Sequence, residues 1–280
     1  MPAPPRLACI VLAHGAAQLL PRAIASLRGQ SPEVELVVVH SGGRPPEIPS
    51  GVELVHSDPL LLPGAARNRG VATTHAPFVA FLAADCRALP GWVAGRLREH
   101  DAGADAVADV LEPPAANAPR AAWLLQHRRR TARTDPALRL PLGLSYRREL
   151  LEAVGPFDER LRQGEDSELN ARLLARGARV AFPTDVRTAH AYPTTARGVL
   201  ADARARGARR VTAERAIGGA GRARIMREAL HILRDAPRLE RDPRVLGLAA
   251  ASLAGYATGV ATTATRAPAA AARDEAPSRR

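Results

Sequence analysis

The chain has 280 residues, 46% of them hydrophobic and only 3% aromatic, which allows one large domain plus an appendage with a core built from Ala, Val and Leu. All 40 basic residues are Arg, set against 28 carboxylates. The net charge of +12 attracts phosphate-bearing ligands, though a solvated Arg-rich face is an equally good reading of it. The scarcity of aromatic stacking platforms, and the lack of any C-x-x-C or zinc spacing, exclude the common nucleic-acid readers, so no nucleic acid is expected as a partner.

The N-terminal stretch has three prolines and one Arg before a short apolar run. It lacks a full signal-peptide core and reads as the entry to a first strand, Leu7 to Ala13. Cys9 lies in that strand. With Cys86 as the second cysteine there is no disulfide framework, which fits a reducing cytoplasm. Pro21 suits the first turn of a helix whose apolar stripe is Leu20, Ile24 and Leu27. Val34 to Val39 and Val52 to Val55 read as strands two and three, Gly64 to Thr74 as a helix, and Phe78 to Leu82 as strand four. Strands alternating with helices predict a mostly parallel α/β sheet flanked by helices.

Asp85 follows the fourth strand, where open α/β sheets bind ligands, and is a candidate site residue for that reason. It also suits a turn or a helix cap, but the strand-end position favours the site role. The next helix starts at Leu89-Pro90-Gly91-Trp92 and runs to His100, with Trp92 as a packing anchor. Asp105 to Leu111 reads as a further strand, 113–119 as a loop, and Gln126 to Thr134 carries the cluster Arg128-Arg129-Arg130. Arg147 to Val154 reads as a helix closed by Gly155-Pro156. Glu165 and Asp166 then stand at the positive end of a helix that buries Leu169 and Leu173 and stops at Gly177. Short strands are expected at Arg179 to Phe182 and Val186 to His190.

Beyond Thr194 the composition turns Ala- and Arg-rich. Helices are expected over Thr194 to Ile217 and Arg222 to Arg234. Val245 to Thr265 is uncharged and long enough to span a bilayer, but its Ala, Gly, Thr and Ser give little drive for insertion, so a packed or surface helix is the better reading. The domain division expected is 1–195, a helical extension at 196–266, and a disordered tail at 267–280.

Three blocks, in this order and spacing, resemble family-2 glycosyltransferases of the GT-A fold: SLRGQ (Ser26 to Gln30) with ELVVV; ARNRGV (Ala66 to Val71) with FLAADC and Leu89-Pro90-Gly91-Trp92; and YRRELLEAVGPFDERLRQGEDSELNARLLARG with His190. The likeness covers residues 6 to 195. It implies a nucleotide-sugar donor, a glycan or lipid-linked acceptor of the cell envelope, and a single inverting displacement. It also implies a divalent cation, Mg2+ or Mn2+, that neutralises the leaving diphosphate. The family's D-x-D motif matches Ala83-Ala84-Asp85, so the final Asp is present and the first is Ala, a weakened metal site. His190 matches the family's later metal-ligating histidine, and Asp166 of the Glu165-Asp166 pair its general base.

Two more positions depart from that pattern. His40-Ser41-Gly42-Gly43 stands where the family has Asp-Asp-Gly-Ser, and Leu12-Ala13-His14-Gly15 where it has Pro-x-Tyr-Asn. Ala13, His14, His40, Arg67 and Asp85 are the donor-site candidates, with an atypical base pocket. Arg67 and Arg69 fit either phosphate contact or a solvated helix face. Asp166 also fits a simple helix-end charge, and His190 an ordinary strand-end histidine.

Other function classes stay open. A non-catalytic GT-A-like binding module is favoured by Ala83 and opposed by the intact Glu165-Asp166. A nucleic-acid or membrane-surface protein rests on Arg content alone. A dinucleotide oxidoreductase is disfavoured because 13–17 lacks G-x-G-x-x-G. The expected location is the cytoplasm, with the helical extension in peripheral contact with the inner membrane face.

Overall fold

The computed structural model describes residues 4–14, 17–30, 34–127, 144–162, 164–216 and 221–263. The Arg128–Arg130 cluster and the 267–280 tail lie outside them. A seven-stranded sheet has the order β3 (Glu53–Ser57), β2 (Val34–Ser41), β1 (Leu7–His14), β4 (Phe78–Ala83), β8 (Ser145–Arg147), β6 (Ala106–Val107), β9 (Val180–Ala181). The β3-β2-β1-β4 half is parallel throughout; β8 runs antiparallel between β4 and β6. A three-stranded sheet, β5 (Cys86–Ala88), β10 (Arg187–His190) and β7 (Val110–Leu111), lies past the end of β4. This is the mixed, mostly parallel α/β architecture that the alternation of strands and helices predicts.

The first strand is buried on both faces, as a central parallel strand must be. Leu7, Cys9, Val11 and Ala13 enter the core shared with α1 (Leu20–Arg28) and α3 (Trp92–Asp101), while Ala8 and Ile10 face the opposite core. That second core holds α2 (Pro63–Thr73), α5 (Arg148–Val154) and α6 (Glu165–Ala175). The expected stripe on α1 is buried, with Ala23 completing it. Gly177 closes α6 with positive φ: the Gly177 N–H bonds Leu174 O and the Ala178 N–H bonds Leu173 O, the paired bonds of a Schellman stop.

The structure corrects the single strand expected over Asp105 to Leu111. Ala106–Val107 joins the large sheet and Val110–Leu111 the small one. The chain breaks between them because Asp109 turns inward to the fully buried guanidinium of Arg96, with Arg96 Nη2 3.6 Å from Asp109 Oδ2. Strands β5 and β8 were not expected at all.

Helices α7 (Ala196–Ala216), α8 (Arg222–Leu239) and α9 (Pro243–Thr262) follow the sheets. The second of them runs past Arg234, through Pro237. Helices α7 and α9 cross at backbone contact: a Cβ on Gly207 would lie 2.1 Å from Tyr256 O, and one on Gly259 would lie 2.0 Å from Arg204 O. Helix α4 (Asn117–His127) packs Ala121 and Leu124 against Val245 and Ala249, which ties the segment after β7 to this helical group.

Candidate functional site

Two clusters form around the carboxyl half of β4. The first lies past its end. Ala84 N–H bonds Leu12 O, and the chain then turns at Asp85 into β5. Antiparallel pairing sets His190 of β10 directly opposite Cys86, and Ala191 N–H donates to Asp85 O at 2.9 Å. One ligand atom from each of Asp85, Cys86 and His190 therefore falls within 4.8 Å of the other two. His190 Nε2 lies 3.4 Å from Asp85 Oδ2, and the Cys86 S–H points at Asp85 Oδ1 at 3.5 Å. Partial burial pushes the Asp85 carboxyl up, but the hydrogen bond and charge of His190, with the Cys86 and backbone contacts, outweigh it and hold the group below its usual range. The carboxylate is 47% exposed, so an incoming ligand can reach it.

A buried polar spine supports this cluster. Trp92 Nε1–H donates to Thr188 Oγ1 at 2.9 Å, and Thr188 in turn donates to Asp109, the partner of Arg96. Arg96 also donates to Val107 O at 2.8 Å and lies 3.9 Å above the Trp92 ring. Thr188 is two residues before His190 on the same strand and shares its face. Trp92 is thus an anchor for β10 as well as for the core.

The second cluster sits on the opposite side of β4. Gly164, at φ +90, turns the chain into α6 and leaves Glu165 and Asp166 in the first helical turn, both buried. Arg67, from α2, donates from Nε to Glu165 Oε1 at 3.2 Å. Its guanidinium lies 4.9 Å from the centre of the Phe81 ring and 5.4 Å from that of Phe157. Arg67 is therefore brought to the carboxylate pair and its own exposure is 8%. Asn68 clamps the same loop: its amide donates to Phe157 O and its oxygen accepts from Phe157 N–H, both at 2.9 Å. Burial pushes Glu165 above the usual carboxylate range, against the lowering pull of Arg67. Asp166 Oδ1 accepts from Ser167 N–H at 2.8 Å, which fixes its carboxylate at the positive end of the helix.

A third group lines the ends of β1, β2 and β3. Parallel register places His40 opposite His56, with their Nδ1 atoms 3.0 Å apart, so one ring donates and the other accepts. Burial, then the imidazoles of His56 and His14, lower the His40 pKa. His40 is almost fully buried, whereas His14 is exposed and lies 3.4 Å from Ser41 Oγ through Nδ1. Ala13 is buried in the core behind them.

Asp85, His190, Glu165 and Asp166 are legible as site residues in the sequence, whereas Cys86, His56 and the Arg67–Glu165 pair are not. The parallel alignment of strands two and three would have found His56. The other two depend on contacts between segments about a hundred residues apart.

The profile described as Glycosyl transferase family 2 matches residues 8–147, half of the chain. The Succinoglycan biosynthesis protein ExoU of Rhizobium meliloti (strain 1021) is 32% identical over 206 residues, 63% of this chain and 59% of that protein. The Pre-mycofactocin glycosyltransferase of Mycobacterium tuberculosis (strain ATCC 25618 / H37Rv) is 28% identical over 211 residues, 65% of this chain and 42% of that protein. The chain thus spans about half the length of the curated relatives it matches. Among solved structures, the mannosyltransferase PcManGT from Pyrobaculum calidifontis, in complex with GDP-Man and Mn2+, superposes with a TM-score of 0.57 at 23% identity, covering 91% of this chain and 76% of that one. GalNAc-T7 with UDP, GalNAc and Mn2+ gives 0.52 at 14% identity, covering 66% and 44%. These neighbours share the GT-A fold. With the profile match reaching across β1 to β8, the chain belongs to glycosyltransferase family 2.

Proposed function

We propose that this chain transfers a sugar from a nucleotide-sugar donor to an acceptor hydroxyl of a cell-envelope or lipid-linked glycan, with inversion at the anomeric carbon. The observation that carries this reading is the Glu165-Asp166 pair, buried at the start of α6 and locked by Arg67. In the reaction the acceptor oxygen bonds to the anomeric carbon on the face opposite the nucleoside diphosphate. The bond from that carbon to the phosphate oxygen breaks, and the acceptor proton passes to Asp166. We assign proton acceptance to Oδ2, because Oδ1 is held by Ser167 N–H. Glu165 keeps Arg67 in place and closes the wall behind the base.

Donor binding falls to the carboxyl ends of β1, β2 and β4, with exposed His14 facing the nucleotide and His40 supporting it from beneath through His56. Binding of GDP-Man by one structural neighbour and UDP by another supports a nucleotide donor without choosing the base. Asp85 and His190 fit a divalent cation, since a carboxylate oxygen and an imidazole nitrogen lie within 4.8 Å of each other and of the Cys86 sulfur. A bound cation would supply charge neutralisation at the diphosphate.

The Asp166→Asn variant tests the assignment. Loss of transfer with nearly unchanged donor affinity is expected; loss of donor binding would contradict it. A second reading, a non-catalytic binding module, is favoured by Ala83 in place of the family's first Asp. In that reading donor binds but neither transfer nor donor hydrolysis is ever seen.

The cytoplasmic location and inner-face contact belong to the same proposal. Residues 196–262 carry thirteen Arg and six carboxylates. Helix α9 is long and apolar enough to cross a membrane by length and composition, although 33% of that stretch is buried. Co-sedimentation with anionic but not neutral vesicles, weakened by salt, is the expected result; a protein that stays in the supernatant with both would contradict membrane contact.

A further inference from the structure

We propose that Cys86 ligates the divalent cation directly, as a thiolate that stands in for the carboxylate missing at Ala83. The inference rests on Asp85 and His190 being a metal site. Ala83 has only a methyl group and donates nothing to a cation. The next residue after Asp85 is the one that the β5–β10 pairing turns toward His190. A four-coordinate cation with oxygen and nitrogen ligands near 2.1 Å and sulfur near 2.3 Å sets neighbouring ligand atoms about 3.5 Å apart. The separations in the structure are 3.4 Å from His190 Nε2 to Asp85 Oδ2 and 3.5 Å from Cys86 Sγ to Asp85 Oδ1. All three groups also lie within 4.8 Å of one another.

The exchange of a carboxylate for a thiolate changes what the site prefers. Oxygen-only sites suit Mg2+, whereas a sulfur, nitrogen and oxygen set suits Zn2+ and Co2+. On binding, the Cys86 S–H proton leaves to solvent and the sulfur lone pair bonds the cation, so loading releases a proton. The bland alternative is that Cys86, 8% exposed, merely fills space between Ala84 and Ala88.

Cobalt titration of the purified full chain, without donor, separates these readings. A near-ultraviolet thiolate-to-cobalt charge-transfer band is expected in the wild type and in Cys9→Ser, and absent in Cys86→Ser. Cys9 is a suitable control, since complete burial pushes its thiol up to about 12. In calorimetry, Cys86→Ser should weaken Zn2+ by more than the roughly 10-fold that losing an outer-shell partner costs, with Mg2+ little changed. In the wild type, Zn2+ should also protect Cys86 from alkylation, a readout that needs no variant to fold. Cobalt binding that is lost in Asp85→Ala but shows no charge-transfer band would overturn the cysteine ligand and keep the Asp85–His190 site. No binding of any cation by the folded wild type would overturn both.

Discussion

Glu165 and Arg67 are enclosed, paired and stacked beneath two aromatic rings, whereas Asp85 meets solvent across 47% of its side chain. The first region matches the family pattern and the second departs from it at Ala83, His40 and the stretch 12–15. The contrast fits the roles proposed for the two regions. A base has to be held in one orientation in a site closed to water. A donor and cation site must admit and release charged ligands, and so can change residues with its ligand. The packing shows the same division: Glu165 and Asp166 are buried at the start of α6 with Arg67 of α2 against Glu165, while Asp85 lies in the turn between two strand ends.

The largest effect expected falls on the enclosed side. Asp166→Asn should lower transfer by about 10²–10⁴-fold, the usual contribution of a positioned general base, measured as product formed at saturating donor. Arg67→Met should destabilise the fold by about 3–5 kcal/mol, because Glu165 is left buried and unpaired. Chemical denaturation measures that loss. Adding Glu165→Leu to the same chain should recover most of it; if the double variant is as unstable as the single one, the pair is not the source of the cost.

One contribution to acid stability comes from His100, buried near the end of α3. Its Nδ1 lies 2.9 Å from Ala104 O, which can only accept, so Nδ1 carries the proton and Nε2 accepts from Ser145 Oγ–H. Burial, ahead of the repulsion from Arg96 and Arg147, lowers its pKa to about 4. The unfolded chain, with an ordinary histidine near 6.5, therefore binds the proton first as pH falls. The His100 contribution should be unaffected above about pH 6.5, decline through the window down to about 4, and level off below, a loss of about 3 kcal/mol from this group. Denaturation midpoints across that range check it, and His100→Gln should flatten the slope.

The smallest effect is expected on the open side. Thr188→Val breaks the spine from Trp92 to Asp109 without touching a ligand atom. Cation affinity should fall by at most about 10-fold, and the melting temperature should drop as well, because Trp92 Nε1–H and Asp109 each lose a buried partner. An unchanged affinity would mean that β10 holds His190 in place without the spine.

Much of this was legible in the residues themselves. Long buried strands announce themselves by uninterrupted apolar runs, which is why β1, β2 and β4 match their expected spans closely. Helix α6 is bracketed by acidic residues at one end and Gly177 at the other. Strands β5 and β8, of three residues each, carry no period to read, and the two-residue strands β6 and β7 looked like one because Asp109 between them gave no sign of turning inward. In the site, Asp85, His190 and the carboxylate pair stood out as polar residues at strand and helix ends. Cys86 did not, because a cysteine after a strand reads as packing until the antiparallel register of β10 sets His190 against it. Arg67 looked like a surface or phosphate-binding arginine, since nothing local reveals a partner 98 positions away.

The most direct test of the transferase reading is thermal stabilisation of the purified chain by a panel of nucleotide sugars, each with and without Mn2+, Mg2+ or Zn2+. A ligand that binds only the native state raises the melting temperature by mass action. A shift is expected with one class of donor, growing when the cation is present and shrinking in Asp85→Ala. A well-folded sample that shifts with none of them would contradict it.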